Sequence, residues 1–124
     1  MSFFNPKRRL LSFKYALQGI RWAFSTQPNI WIHLIIAICV IILGFYLNVK
    51  QFDWIVLIIC IIIVFAIELI NTAIEWLVDS IYKEKNLIAG KIKDVAAAAV
   101  LVVAMGVAII GSIIFYPYFK EQFF

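Results

Sequence analysis

Five polar side chains interrupt an apolar run of this chain at the spacing of one helix face: Glu68, Asn71, Thr72, Glu75 and Asp79. At the rotation of a regular helix they fall within an arc of about 100°. Carboxylates on one face, at or near the end of a membrane span, are costly unless a cation or a reaction uses them. The alternative is a polar seam that only joins helices; Asn71 and Thr72 suit it, but like charges on one face repel. The stripe therefore indicates a functional site.

A second polar pair, Lys93-Asp94, stands just before the next apolar run. A lysine and several carboxylates at one membrane depth indicate binding of phosphate together with a divalent cation. Carboxylates hold Mg²⁺, and a lysine neutralises phosphate oxygens. The alternative is a solvated helix start at which Asp94 is the cap.

The signatures of several soluble enzyme classes are absent from the sequence. It has no Gly-x-x-x-x-Gly-Lys-Ser/Thr loop and no set of protein-kinase motifs. A single histidine, His33, argues against a zinc site or a histidine-based triad, and we interpret it as a packing residue at the start of the first apolar run. Cys39 and Cys60 lie inside apolar runs and are also interpreted as packing residues.

The composition places the chain in a membrane. With 124 residues, 65% of them hydrophobic, and a mean hydropathy of +1.02, it has more apolar surface than a soluble domain of this size can bury. We therefore predict an all-α integral membrane protein: one domain, residues 1–124, with three transmembrane helices and an N-terminal amphipathic surface helix. The surface helix is expected at about 6–25, and the spans at about 30–46, 54–82 with a cytoplasmic extension, and 95–116.

The connections are predicted from their polar residues. Thr26 is expected to cap the helix that starts near Pro28. Residues 83–93 are expected to form a short link on the cytoplasmic side, and the chain after Pro117 a short aromatic tail.

Basic residues are concentrated at one end of this topology. Of the eleven Lys and Arg residues, nine precede the first span or lie between the second and third. They are Lys7, Arg8, Arg9, Lys14, Arg21, Lys83, Lys85, Lys91 and Lys93. The positive-inside bias then places the N-terminus in the cytoplasm. Because the basic residues follow the topology, they do not indicate nucleic-acid binding.

Two motifs carry a resemblance to a known family. Glu68-Leu-Ile-Asn71-Thr72-Ala-Ile-Glu75-Trp-Leu-Val-Asp79, followed by Lys93-Asp94-Val-Ala-Ala-Ala-Ala-Val, resembles the small bacterial diacylglycerol kinase/undecaprenol kinase family. Tyr15-x-x-x-Gly19-Ile-Arg21-x-Ala23-Phe24 is similar to that family's surface helix. The resemblance covers nearly the whole chain. It implies a homotrimer of three-span subunits in the bacterial inner membrane, which uses Mg²⁺ and transfers the γ-phosphate of ATP to the hydroxyl of a membrane lipid.

The same resemblance implies a role for each matching residue. Glu68 corresponds to the catalytic base and Asn71 to a residue that supports it. The metal ligands correspond to Glu75 and Gln27. The nucleotide contacts correspond to Arg8, Tyr15, Asp79, Glu84, Lys85, Asn86, Lys93 and Asp94. The lipid contacts correspond to Glu68, Arg21 and Ala97.

Two positions depart from the family pattern. Gln27 stands where many relatives have a second metal-binding glutamate, so its amide oxygen would ligate without charge and hold the metal more weakly. Lys85-Asn86 stands where relatives often have Tyr-His, which changes the expected contacts to adenine and ribose.

The lipid substrate is less closely specified by the sequence. Ile32-His33-Leu34 and Lys93-Asp94-Val-Ala are more similar to the undecaprenol kinase branch, with diacylglycerol kinase as the alternative. From another class, a small proton-coupled transporter would also be short and apolar, but its key acid usually lies deeper in the bilayer. A third alternative is a non-catalytic membrane scaffold.

Overall fold

The computed structural model describes residues 5–124, so residues 1–4 of the predicted domain lie outside it. This part of the chain is all-α, with no strand. It contains four helices: α1 (Pro6–Thr26), α2 (Pro28–Tyr46), α3 (Gln51–Ile81) and α4 (Leu87–Phe123). By length and composition, α2, α3 and α4 can each cross a membrane. The predicted all-α architecture with three membrane helices is confirmed.

The junction between α1 and α2 is a single extended residue. Gln27 has φ −114° and ψ 107°, and Pro28 occupies the first turn of α2, where its missing N–H costs nothing. The prediction that Thr26 caps α2 is wrong. Its hydroxyl donates instead to the carbonyl oxygen of Trp22 at 2.8 Å, inside α1. Gln27 is the N-cap of α2, and its side chain makes no capping hydrogen bond to the helix. The sharp junction sets Gln27 where α1 and α2 meet.

α3 is the central helix, and it packs against α1, α2 and α4. In the described part of the chain, the backbones of α1 and α2 do not approach that of α4 closely. At the end that bears the turn between α2 and α3, a small core of Leu47, Val49, Leu57 and Phe115 joins the turn to α3 and α4. At the opposite end, the last turns of α1 contact α3 through Trp22–Trp76 and Phe24–Phe65. The polar stripe of α3 lies at this second end.

The link between α3 and α4 is shorter than predicted. The prediction of a link over residues 83–93 is wrong for 87–93, which form the first turns of α4. The helix begins early because the side-chain oxygen of Asn86 accepts hydrogen bonds from the backbone N–H groups of Ile88 and Ala89, at 2.8 and 3.1 Å. Lys93 and Asp94 are therefore held on a helix and not on a loop.

The predicted tail after Pro117 is also wrong, because α4 continues through this proline to Phe123. Membrane helices tolerate an internal proline where neighbouring groups compensate for the lost backbone hydrogen bond. Just after it, the hydroxyl of Tyr118 donates to Asp53 and accepts from the backbone N–H of Lys50 at 3.0 Å. These bonds join the end of α4 to the start of α3.

Candidate functional site

The polar stripe of α3 passes from buried to exposed along the helix. Glu68 is 1% exposed, and Asn71 and Thr72 are 5% exposed each. Glu75, about two turns further on, is half-buried, and the side chain of Asp79 is 62% exposed. One helix thus carries carboxylates from the packed interior to the solvent-accessible end.

Glu75 is the point at which α1, α2 and α3 meet through polar groups. The side-chain amide of Gln27 donates to Oε2 of Glu75, and the amide of Asn71 donates to Oε1, both at 3.3 Å. The structure therefore brings the two expected metal ligands, Glu75 and Gln27, into direct contact. Asn71 hydrogen-bonds to Glu75 and not to Glu68, although the resemblance implies that it supports Glu68.

The donor set around Glu75 fits Mg²⁺. Mg²⁺ is commonly held by one or two carboxylates, and substrate phosphates and water complete its shell. Glu75 supplies one carboxylate, and the amide of Gln27 can present its oxygen after rotation. No group of three or more His, Cys, Asp or Glu side chains suited to a metal occurs within residues 5–124. The metal would therefore depend on the phosphates of its nucleotide for further ligands.

Glu68 is buried, and its carboxylate makes no hydrogen bond. Neither of its carboxylate oxygens has a hydrogen-bond partner, and the hydroxyl of Thr72 donates to the backbone oxygen of Glu68. The imidazole of His33 lies close to this carboxylate, with Nε2 3.7 Å from Oε2. The sequence interpretation of His33 as a packing residue missed this pair. The one available signal was the position of the only histidine, one to two turns after Gln27 in the next helix.

A polar cleft of about 650 Å³ lies where α3 ends and α4 begins. Six of the eight residues predicted to bind the nucleotide line it: Asp79, Glu84, Lys85, Asn86, Lys93 and Asp94. Across it, the ammonium group of Lys93 donates to Asp79 at 2.9 Å. The cleft combines positive and negative groups, as a site for a metal-bound triphosphate requires.

The other predicted site residues are not brought to this cleft within one chain. Arg8 and Tyr15 lie exposed on α1, and α1 does not pack against α4. Arg8 is 19 residues before Gln27, about 28 Å along the helix. Arg21 and Ala97, expected to contact the lipid, are exposed on helices α1 and α4, which do not pack together.

Most of the chain is similar in sequence to known proteins. The sequence profile of the family described as prokaryotic diacylglycerol kinase matches residues 14–115. An undecaprenol kinase of Bacillus subtilis is 39% identical over 106 residues, which are 86% of this chain and 86% of that protein. A diacylglycerol kinase of Haemophilus influenzae is 34% identical over 106 residues, covering 85% of this chain and 90% of that protein. A diacylglycerol kinase of Synechocystis is 36% identical and covers 87% of this chain and 62% of its own length.

Proposed function

This chain belongs to the prokaryotic diacylglycerol kinase family and is therefore an ATP-dependent lipid kinase of a bacterial membrane. We propose that Glu68 is its catalytic base and that undecaprenol is its preferred substrate. The observation that carries the first part is the buried carboxylate of Glu68, which makes no hydrogen bond and lies at the inner end of a polar stripe that leads to the cleft. A lipid alcohol can approach such a group from the apolar side, and the nucleotide can approach from the side of the cleft.

Glu68 acts on the lipid hydroxyl. Its carboxylate accepts the hydroxyl proton as the lipid oxygen forms a bond to the γ-phosphorus of ATP. The bond between that phosphorus and the β,γ-bridging oxygen breaks, and ADP leaves with the electron pair. The products are a lipid phosphate, ADP and a protonated Glu68, which releases its proton to solvent.

Glu75 and the cleft serve the nucleotide. Glu75 lies seven residues after Glu68, about 10 Å along α3 and nearer the cleft, so we assign the two carboxylates separate roles. Glu75 and Gln27 would hold Mg²⁺, which supplies positive charge to the phosphate oxygens. Lys93 is placed to exchange its contact with Asp79 for one with a phosphate oxygen.

We propose that the working enzyme is a homotrimer and that α1 of one subunit supplies Arg8 and Tyr15 to the cleft of another. Two features support this arrangement. Within one chain Arg8 is too far from Gln27 and Glu75 to share their site. Large apolar side chains are exposed along α2, α3 and α4, where lipid and neighbouring subunits can cover them. We also propose that the end bearing α1 and the cleft faces the cytoplasm, since nine of the eleven basic residues lie on the segments at that end.

The proposed preference for undecaprenol is supported by the undecaprenol kinase that is 39% identical and by the segment Ile32-His33-Leu34. The test is transfer of labelled phosphate from ATP to undecaprenol, shorter polyprenols and diacylglycerol in matched micelles. We expect the highest kcat/KM with undecaprenol. A higher value with diacylglycerol would overturn the preference and leave the kinase activity intact.

The role of Glu68 is tested by Glu68→Gln, which keeps the shape and removes the basic group. We expect kcat to fall by about 10³-fold or more, because the carboxylate proposed to accept the proton is lost, while the assembled protein keeps its elution volume and helix content. Glu121→Gln, at the other end of the molecule, is the charge-matched control and should keep wild-type activity. Turnover retained in Glu68→Gln would remove Glu68 from this role.

The transporter alternative is not favoured by the comparisons, because the matching family and relatives are kinases. Proton-coupled uptake into vesicles without lipid phosphorylation is the result that would restore it.

A further inference from the structure

The imidazole of His33 faces the carboxylate of Glu68 from the neighbouring helix. Nε2 of His33 lies 3.7 Å from Oε2 of Glu68, and the His33 side chain is 16% exposed where that of Glu68 is 1% exposed. We propose that His33 is the positioning residue of this kinase: its Nε2–H holds one oxygen of Glu68 and so directs the other to the lipid hydroxyl. The inference rests on the proposed role of Glu68.

Glu68 needs such a partner. An ionised carboxylate in the interior is strongly destabilising unless a hydrogen-bond donor or an opposite charge compensates it. Both carboxylate oxygens of Glu68 are buried without a hydrogen bond, and the hydroxyl of Thr72 donates to the backbone oxygen of Glu68. Asn71 directs its amide to Glu75. Within the described residues, His33 is therefore the side chain placed to donate to Glu68.

The first turns of α2 hold His33 firmly in place. Ile30, three residues earlier, is 0% exposed and fixes the face that α2 packs inward. The indole N–H of Trp31 donates to the backbone oxygen of Phe24 at 2.8 Å, which joins α2 to the end of α1. A residue one turn after a buried isoleucine shares its face, so His33 is directed toward α3 by packing.

The distance between Nε2 of His33 and Oε2 of Glu68, 3.7 Å, is slightly longer than a hydrogen bond. A shift of less than 1 Å would bring the two atoms within hydrogen-bond distance. Catalytic hydrogen bonds are often long without substrate and shorten in the complex. When Nε2–H of His33 binds Oε2 of Glu68, the carboxylate can no longer rotate freely. Oε1 is then left with its lone pairs available to the alcohol.

His33 is also reached from the apolar side. It lines a groove of about 590 Å³ along α3, between α2 and α4, whereas Glu68 itself does not line the groove. A change at His33 therefore alters the orientation of the base without removing the base, the metal ligands or the nucleotide cleft. Substitution of His33 is therefore expected to lower kcat without changing KM for ATP, which distinguishes it from substitution of the other site residues.

Two substitutions of similar length test the proposal in detergent micelles. His33→Gln keeps an N–H donor at the end of the side chain, and His33→Met does not. We expect His33→Met to lower kcat by about 10- to 100-fold with KM for ATP unchanged, the loss typical of a hydrogen bond to a charged group. His33→Gln is expected to keep kcat within about threefold of wild type.

Ile36→Met, at a groove residue one turn further along α2, is the matched control and is expected to behave as wild type. Full kcat in His33→Met, or an equal loss in His33→Met and His33→Gln, would overturn the donor role of His33. Should His33→Met fail to assemble, the decision rests on His33→Gln, where a loss above tenfold overturns the proposal and retained kcat supports it. If wild type itself does not phosphorylate any lipid, or if Glu68→Gln keeps full turnover, the proposed function fails instead.

Discussion

Substituting Gln27 by glutamate is expected to lower the Mg²⁺ concentration that gives half-maximal rate. The side-chain amide of Gln27 donates to Oε2 of Glu75 at 3.3 Å. In Gln27→Glu this hydrogen bond is replaced by two carboxylates at nearly the same distance. The metal-free protein is therefore destabilised at this point, and a bound divalent cation relieves the repulsion.

The size of the effect follows from the distance. Two unit charges 3.3 Å apart repel by about 1.3 kcal/mol at the dielectric constant of water and by about 5 kcal/mol at an effective value of 20. Gln27 and Glu75 are half-buried, so the repulsion lies between these limits. Since 1.4 kcal/mol corresponds to a factor of ten, the half-maximal Mg²⁺ concentration should fall by about tenfold or more.

The assay is initial lipid phosphorylation against free Mg²⁺ at constant MgATP. Gln18→Glu adds the same charge to an exposed position of α1, about 13 Å along the helix from Gln27, and is the control for a general effect of charge. We also expect thermal unfolding of Gln27→Glu to depend more strongly on Mg²⁺ than that of wild type. A Mg²⁺ requirement that is unchanged, or lowered equally in Gln18→Glu, would refute the placement of the metal between residue 27 and Glu75.

Three further substitutions test the cleft and the opposite end of the molecule. Lys93→Ala removes the cation that contacts Asp79 at 2.9 Å, and we expect KM for ATP to rise by about tenfold or more. Lys93→Arg should keep most of the activity. An unchanged KM in Lys93→Ala would place the nucleotide elsewhere. Gly44→Ala brings a methyl group within 2.7 Å of the ring of Trp54. The melting temperature in detergent should therefore fall, by an amount equivalent to about 1–3 kcal/mol. Adding Trp54→Leu to this variant should restore part of the lost stability. Tyr118→Phe removes the hydrogen bonds between the end of α4 and the start of α3. We expect a loss of about 1–2 kcal/mol of stability with kcat and KM unchanged. Altered kinetics would contradict a purely structural role of Tyr118.

Much of the site on α3 could be predicted from the residues alone. Glu68, Asn71, Thr72, Glu75 and Asp79 lie on one helix, so the helical period places them on one face whatever the rest of the chain does. The contact between Gln27 and Glu75 came from the resemblance to a family and not from spacing, because 48 residues separate the two along the chain. Only a structure could turn that expectation into a distance.

Local backbone details were predicted less well. Thr26 and Asn86 are both residues that favour a helix N-cap, but only Asn86 caps a helix here. Thr26 remains in the last turn of α1, where its hydroxyl is satisfied by the carbonyl of Trp22. The end of α4 was misplaced for a related reason: Pro117 reads as a helix breaker in solution, and here the helix continues past it in a membrane protein.

The sequence by itself determined the three membrane helices, the polar face of α3 and the side on which the basic residues gather, since these follow from hydropathy, helical period and charge along one continuous segment. Tertiary structure alone decided which side chain meets Glu68. His33 is 35 residues away on another helix, and the packing of Ile30 and Trp31 at the start of α2 directs it toward Glu68. Contacts between helices depend on their relative rotation and depth, and no periodicity within either helix contains that information.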